Sequence, residues 1–277
     1  MISVIVPSKI TEENIVSTVL ALHRHLSFRF PGGFEIIVVP NPIPLGHQLS
    51  DYVEPLQELL HFSEKHKEVR IIPHHGKAGK YAAIKTGVQA STGAWIFITD
   101  ADLPFELSFF DEAAQKLRAD FDFVVGNRRH PDSMIRTPQK LLKKLLMRDR
   151  IGRVFNLGVR LLFPSIPVRD TQAGIKAMTR RFANHAFQLQ ICPGFYGDIE
   201  LFLIAVAHSY RYTSLPVIFN YGENKSSIRF FREFFVALGW LSKIFVRDFL
   251  GTYEVSLGLS EASTTAYEEE DSSFKRS

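Results

Sequence analysis

Cys192 is the one cysteine among 277 residues, which excludes an internal disulfide framework and fits a reducing compartment. Long apolar runs are missing too. A bilayer span takes about 20 such residues, and the longest candidate, 230–250, is broken by Arg232, Glu233, Lys243, Arg247 and Asp248. Met1 runs straight into Ile2-Ser3-Val4-Ile5-Val6-Pro7 without a basic leader or a small-residue cleavage site, so a cytoplasmic protein is expected. There is no Ser-His-Asp constellation, no zinc-like Cys/His spacing and no Walker loop. Histidines such as His74 and His75 read as loop residues. No nucleic-acid module accompanies the lysines and arginines, and nucleic acid is excluded as a partner.

What is present suffices for a large core, since 45% of the residues are apolar. The formal charge of +4 is modest but uneven: lysines and arginines crowd Arg128 to Arg160, while acids fill Glu261 to Asp271. The basic part should meet an anion. From Ser260 onward the chain is polar, acidic and aperiodic, which predicts a disordered tail over 252–277.

Apolar runs at Ile2–Val6, Glu35–Val39, Val69–Ile72, Trp95–Thr99 and Phe121–Val125 alternate with helical patterns at Glu12–Leu26, Leu49–Glu64, Lys80–Ala90 and Leu107–Leu117. The alternation predicts an α/β fold, a mostly parallel sheet flanked by helices. Ligands of such sheets bind beyond the C-terminal strand edges, where Pro7, Pro40 and Asp100 would lie. A long basic amphipathic segment, Gln139 to Phe163, and an apolar stretch, Tyr212–Phe219, follow.

Gly93-Ala94-Trp95-Ile96-Phe97-Ile98-Thr99-Asp100-Ala101-Asp102-Leu103 delivers two carboxylates, one residue apart, just after a strand. Asp100 and Asp102 can converge on one hard cation, Mg2+ or Mn2+, which keeps open positions for the oxygens of a diphosphate.

Four blocks resemble the family-two inverting glycosyltransferases of the GT-A fold, in the branch that makes dolichyl- and polyprenyl-phosphate sugars. They are Gly79-Lys80-Tyr81-Ala82-Ala83, Asp100-Ala101-Asp102-Leu103, Val125-Gly126-Asn127-Arg128, and Arg169-Asp170-Thr171-Gln172-Ala173-Gly174-Ile175-Lys176, with Gly197-Asp198-Ile199-Glu200 after them. The resemblance implies Asp100 near the donor ribose, Asp102 on the metal and Lys80 flanking the nucleotide. It also makes Asp170, Gln172 and Lys176 part of the site. The family's usual base-pocket residues are absent: Pro7 is followed by Ser8-Lys9-Ile10-Thr11, and the second strand ends in Pro40-Asn41-Pro42. Pro7, Lys9 and Asn41 stand as substitute donor contacts. A further metal ligand of some relatives falls on Pro104, with Glu106 as its possible replacement.

A polyprenyl-phosphate acceptor needs cations beside apolar surface. Arg128 follows the fifth strand, and Arg148, Arg150 and Arg153 punctuate an apolar helix, with Lys225 of the Lys225-Ser226 step as a further phosphate contact. Ile228, Phe231, Phe235, Leu238, Phe245 and Phe249 recur at helical spacing, predicting an amphipathic helix over 227–251 that lies at a membrane surface. The expected organisation is a donor half (1–126), an acceptor half of the same domain (127–226), this helix and the tail. Asp198 is the base if the acceptor is a hydroxyl rather than a phosphate, and Glu200 points to the same region. A glycosyltransferase acting on a glycan or small-molecule hydroxyl, and a degenerate transferase kept as a binding protein, remain as alternatives.

Overall fold

The computed structural model describes residues 1–9, 12–42, 55–166, 170–222 and 230–255. The chain alternates β1 (Ile2–Ser8), α1 (Ile15–Arg29), β2 (Phe34–Pro40), α2 (Pro55–Lys65), β3 (Val69–Ile71), α3 (Lys80–Ala90), β4 (Trp95–Ile98), α4 (Ser108–Arg118) and β5 (Phe123–Asn127). Then come β6 (Met134–Arg136), α5 (Leu142–Leu162), β7 (Lys176–Thr179), α6 (Arg180–Leu189), α7 (Gly197–Ala207), β8 (Tyr212–Pro216), β9 (Ile218–Asn220) and α8 (Phe230–Phe249).

Seven strands form one sheet in the order β3-β2-β1-β4-β7-β5-β8. Successive strand residues point to opposite faces, and the sequence fills both with apolar side chains. Val4, Val6, Ile36, Val38, Phe97 and Val124 pack with α1 and α4 on one face, while Ile5, Ile37, Ile98, Phe123 and Met178 pack with α3, α6 and α7 on the other. Helices on both faces explain why the strands read as continuous apolar runs.

The sheet is mostly parallel, as expected, with β7 alone lying antiparallel, between β4 and β5. Thr179 accepts from the Phe182 amide to cap α6 directly after this strand. A separate parallel pair, β6 and β9, forms a small second sheet. On α8, Leu241 and Ile244 are buried whereas Leu238, Phe245 and Phe249 are exposed; the side chains of Phe231 and Phe235, together with Ile228 and residues 256–277, lie outside the described part. The tail predicted from 252 does not begin there, since Tyr253 is buried and donates to Glu200. No helix among the described residues is long and apolar enough to cross a membrane.

Candidate active site

The strand order turns at β1: β2 and β3 lie to one side and β4 to the other. A crevice opens at such a turn beyond the C-terminal strand ends, and Pro7, Pro40 and Asp100 all sit at that edge. Because β7 runs the other way, its first residue, Lys176, pairs with Ile98, the last of β4. The reversed strand therefore brings Ala173, Gly174 and Lys176 to the same edge as Asp100. Gly174 carries no side chain for a direct reason: a Cβ there would lie 1.8 Å from Asp100 Oδ2.

Lys80 opens α3 and donates its Nζ to Asp100 Oδ1. The first free amides of this helix do not await an anion, for Tyr81 N and Ala82 N both donate to the Pro193 carbonyl, at 2.8 and 3.1 Å. Gly79 permits that approach, since a Cβ would lie 2.0 Å from the Pro193 oxygen. Packed against these groups, Asp198 in the first turn of α7 accepts from the Tyr81 hydroxyl and pairs with Lys176 Nζ at 2.7 Å. Lys176 also donates to the Ala173 carbonyl.

Burial lowers the Lys176 ammonium below its ordinary value, with Lys80 adding to the effect and Asp198 opposing it. Burial acts on Lys80 too, but the charges of Asp100 and Asp198 outweigh it and raise its pKa. The Tyr81 hydroxyl is pushed well above its usual range by burial and by Asp198, so it serves as a donor. The sequence blocks around Lys80, Asp100, Lys176 and Asp198 thus converge into one alternating cluster of carboxylates and ammonium groups.

Asp102 faces a neighbouring groove with Asn14, Arg136, Asn220 and Tyr221. Leu103, at φ 40°, turns the chain there, and β9 is tied to the turn by Asn220 N to Pro104 O at 2.7 Å and Glu106 N to Ile218 O at 3.1 Å. The Glu106 carboxylate, two residues beyond Pro104, pairs with Arg136.

Arg128 uses its guanidinium fork on Asp170, Nε to Oδ2 and Nη2 to Oδ1, both at 2.8 Å, and its backbone amide adds a bond at 3.0 Å. Burial would raise the Asp170 carboxyl, but Arg128 holds it below the usual aspartate range. Arg128 lies 5.6 Å over the Phe219 ring and Arg148 5.6 Å over the Tyr221 ring, so β9 and the residue after it join the two cations. Arg148 also approaches the Tyr221 hydroxyl at 3.3 Å. Arg153 pairs with Asp149 at 2.7 Å, and both Arg150 and Arg153 are exposed. Gln172 has a buried Nε2 without a protein partner. Arg169 and Lys225 lie outside the described residues.

Just beyond β2, Asn41 Nδ2 donates to the Gly79 carbonyl at 2.7 Å, and its Oδ1 is buried with no donor. Lys9 is exposed, and Ile10 and Thr11 lie outside the described residues. Glu200, expected beside Asp198, turns away into the core: it is fully buried and accepts from Cys192 N at 2.7 Å, Ile191 N at 3.1 Å and the Tyr253 hydroxyl at 2.8 Å. Its partners fix the 190–193 loop and hence the Pro193 carbonyl that receives α3. Burial raises its pKa.

Residues 3–183 match the family model for glycosyl transferase family 2. The chain belongs to this family. Its fold is the GT-A fold of these glycosyltransferases, with a mixed sheet flanked by helices. A glucosyl-3-phosphoglycerate synthase from Mycobacterium tuberculosis, solved with Mn2+, uridine diphosphate and glucosyl-3-phosphoglycerate, superposes with a TM-score of 0.58 at 14% identity, over 93% of this chain and 81% of that one. Among curated proteins, a dolichyl-phosphate beta-glucosyltransferase from Trichomonas vaginalis is 28% identical over 176 residues, 60% of this chain and 50% of the relative. One of the same description from Drosophila melanogaster is 27% identical over 216 residues, 74% of this chain and 62% of the relative. The chain thus spans about half to three fifths of the length of these two curated relatives.

Proposed function

We propose that this family-two glycosyltransferase moves a hexose from a nucleotide-diphosphate sugar to a phosphate-bearing acceptor, with inversion at the anomeric carbon. The observation that carries the proposal is the cluster of Asp100, Lys80, Lys176 and Asp198 at the C-terminal strand edge, with Asp102 in the adjoining groove. Asp100 and Asp102 offer hard carboxylate oxygens, which suit Mg2+ or Mn2+. Two such ligands leave positions for a diphosphate, so the residues fit the ion; Asp102 and Asp100 would hold it. A cation bound there neutralises charge on the departing nucleotide. Lys80 adds positive charge on the same side, and its hold on Asp100 orients that carboxylate before donor arrives. Asn41 Oδ1, buried and without a donor, suits a base N–H, while Pro7 and Lys9 border the same end.

For the acceptor the favoured reading is a polyprenyl phosphate at a membrane surface on the cytoplasmic side, with the protein peripherally bound. Its support is α5, which exposes Leu146, Val154, Leu157 and Leu161 beside Arg150 and Arg153, and the curated relatives, described as dolichyl-phosphate glucosyltransferases. Arg128 and Arg148 would meet the phosphate, with Lys225 assigned to the same task. A phosphate acceptor is already ionised near neutral pH and needs no base. A hydroxyl on a small phosphorylated molecule is the second reading, supported by Asp198 at the site and by the fold shared with a phosphoglycerate-glucosylating enzyme. Against a pure binding protein stands the complete set of Asp100, Asp102 and Lys80.

The test is a heat-shift screen of nucleotide sugars with Mn2+, followed by transfer assays with polyprenyl phosphate in vesicles and with phosphoglycerate. A lipid product supports the first acceptor and a glycosylated acid the second. A chain that binds no nucleotide sugar in Mn2+ overturns the proposal as a whole.

A further inference from the structure

At the opposite edge of the sheet, His23 of α1 and the α2–β3 turn bring together three side chains with no part in sugar transfer. His23 Nε2 approaches Glu68 Oε1 at 2.5 Å, and His66 Nδ1 approaches the same oxygen at 3.4 Å. One ligand atom from each residue lies within 4.8 Å of the other two, and this is the only such trio of His, Cys, Asp or Glu among the described residues. In a tetrahedral zinc site, bonds of about 2.0–2.2 Å place ligand atoms roughly 3.3–3.6 Å apart. Small side-chain rotations would seat all three on one ion.

The scaffold holds these groups in place. His66 N donates to Phe62 O at 3.1 Å, Val69 N to His66 O at 2.9 Å and Ile36 N to Glu68 O at 2.7 Å. The His66 ring stacks on Phe62 at 4.2 Å, and His23 meets Phe34 and Phe62 edge-on at 5.7 and 5.5 Å. A groove lined by Leu20, His23, Arg24, Ser27, Phe28 and Phe62 opens beside His23, giving an entry path and room for water in a fourth position.

Two imidazoles and one carboxylate favour zinc and its neighbours over magnesium or manganese. Glu68 precedes β3 whereas Asp100 follows β4, three strand spacings away, about 14 Å across the sheet alone. This trio therefore cannot serve the donor diphosphate. We propose that His23, His66 and Glu68 form a separate zinc site that clips α1 to the α2–β3 turn and stabilises that edge of the sheet.

The proposal does not depend on the transfer reaction, because the ion itself is the readout. Full chain stripped with chelator is titrated with Zn2+ by calorimetry, and with Co2+ for the visible absorption of a tetrahedral site. One Zn2+ per chain is expected, with a raised Tm. His23→Gln and His66→Gln should each weaken binding by about tenfold or more, whereas Asp102→Ala should bind Zn2+ like the unaltered chain. If His23→Gln fails to fold, the more exposed His66→Gln decides. Zinc binding unchanged in His66→Gln, or no zinc bound by the stripped chain, overturns the site and leaves an ordinary histidine–glutamate hydrogen bond.

Discussion

Helices α7 and α5 treat charge in opposite ways. From Gly197 to Ala205 every residue of α7 is buried, and its two acids, Asp198 and Glu200, are each surrounded by donors supplied by the protein. On α5, Val154 is 72% and Leu161 75% exposed, and Arg150, Arg153 and Arg160 stand in solvent near them. Burying an ion is expensive unless it is paired, so α7 exists in this form because Tyr81, Lys176, Cys192 and Tyr253 reach it. Among the described residues, Val154, Leu157 and Leu161 of α5 stay exposed. The charges of α7 are matched from within the described chain, whereas those of Arg150, Arg153 and Arg160 on α5 face solvent.

Five variants test that contrast. The largest effect should come from Asp102→Ala, which removes a carboxylate facing the groove without disturbing the Lys80–Asp100 pair. We expect transfer to fall by about a thousandfold with Tm unchanged, as followed by nucleotide release and a melting curve. Activity that persists in chelator would separate Asp102 from any metal.

Next in size is Arg128→Ala, which strands a buried Asp170. Removing one partner of such a pair costs about 3–5 kcal/mol, and urea midpoints should register it. The pH dependence follows from the lowered Asp170 pKa. The pair stabilises the fold above the unfolded aspartate value of about 3.9 and loses that contribution as pH falls through the lower folded value. The Tm gap between the unaltered chain and Asp170→Asn should therefore be full at neutral pH and close under acid. A gap that is constant with pH would mean that shape, rather than charge, holds the two together.

Gly174→Ala drives a methyl into the Asp100 carboxylate. A displacement of about 1 Å at a reacting group can cost about a hundredfold, so turnover should drop by tens of fold or more, with a weaker response to Mn2+ in the heat shift. The smallest effect on the fold, and the sharpest on location, belongs to Leu157→Ser with Leu161→Ser. Stability should move by less than about 0.5 kcal/mol, while binding to anionic vesicles falls, each leucine contributing about 1.5–3 kcal/mol when fully buried. Unchanged vesicle binding would return α5 to the status of a solvated helix.

Much of the fold was readable because its strands are short, apolar and separated by helical periods, as in Ile2-Ser3-Val4-Ile5-Val6 and Lys80–Ala90. The reversal of β7 was not. Four residues beginning at Lys176 carry no sign of direction, and antiparallel entry is set by the turn at Ala173 and Gly174 packing on Asp100. The site was legible as a set of blocks, but their partnerships were hidden. Arg128 read as a free cation because Asp170 lies far along the chain, and Glu200 read as a second site acid because its helical position is only two residues from Asp198. Their fates differ through contacts with Arg128 and Tyr253 that no local pattern encodes. His23 and His66 share no local pattern for the same reason, since β2 and α2 lie between them in the chain.

The hydrogen bond from Tyr253 to Glu200 sets a boundary for anyone shortening or fusing this protein. Glu200 holds the loop whose Pro193 carbonyl receives α3, and α3 begins with Lys80. A deletion that starts after residue 255 leaves this mechanical linkage whole. One that starts before Tyr253 removes a buried ring and a donor from a carboxylate in the core, and the slack is passed through three contacts to the lysine that faces Asp100. The short segment after α8 is thus a keystone of the Lys80–Asp100 cluster, although it lies outside every described helix.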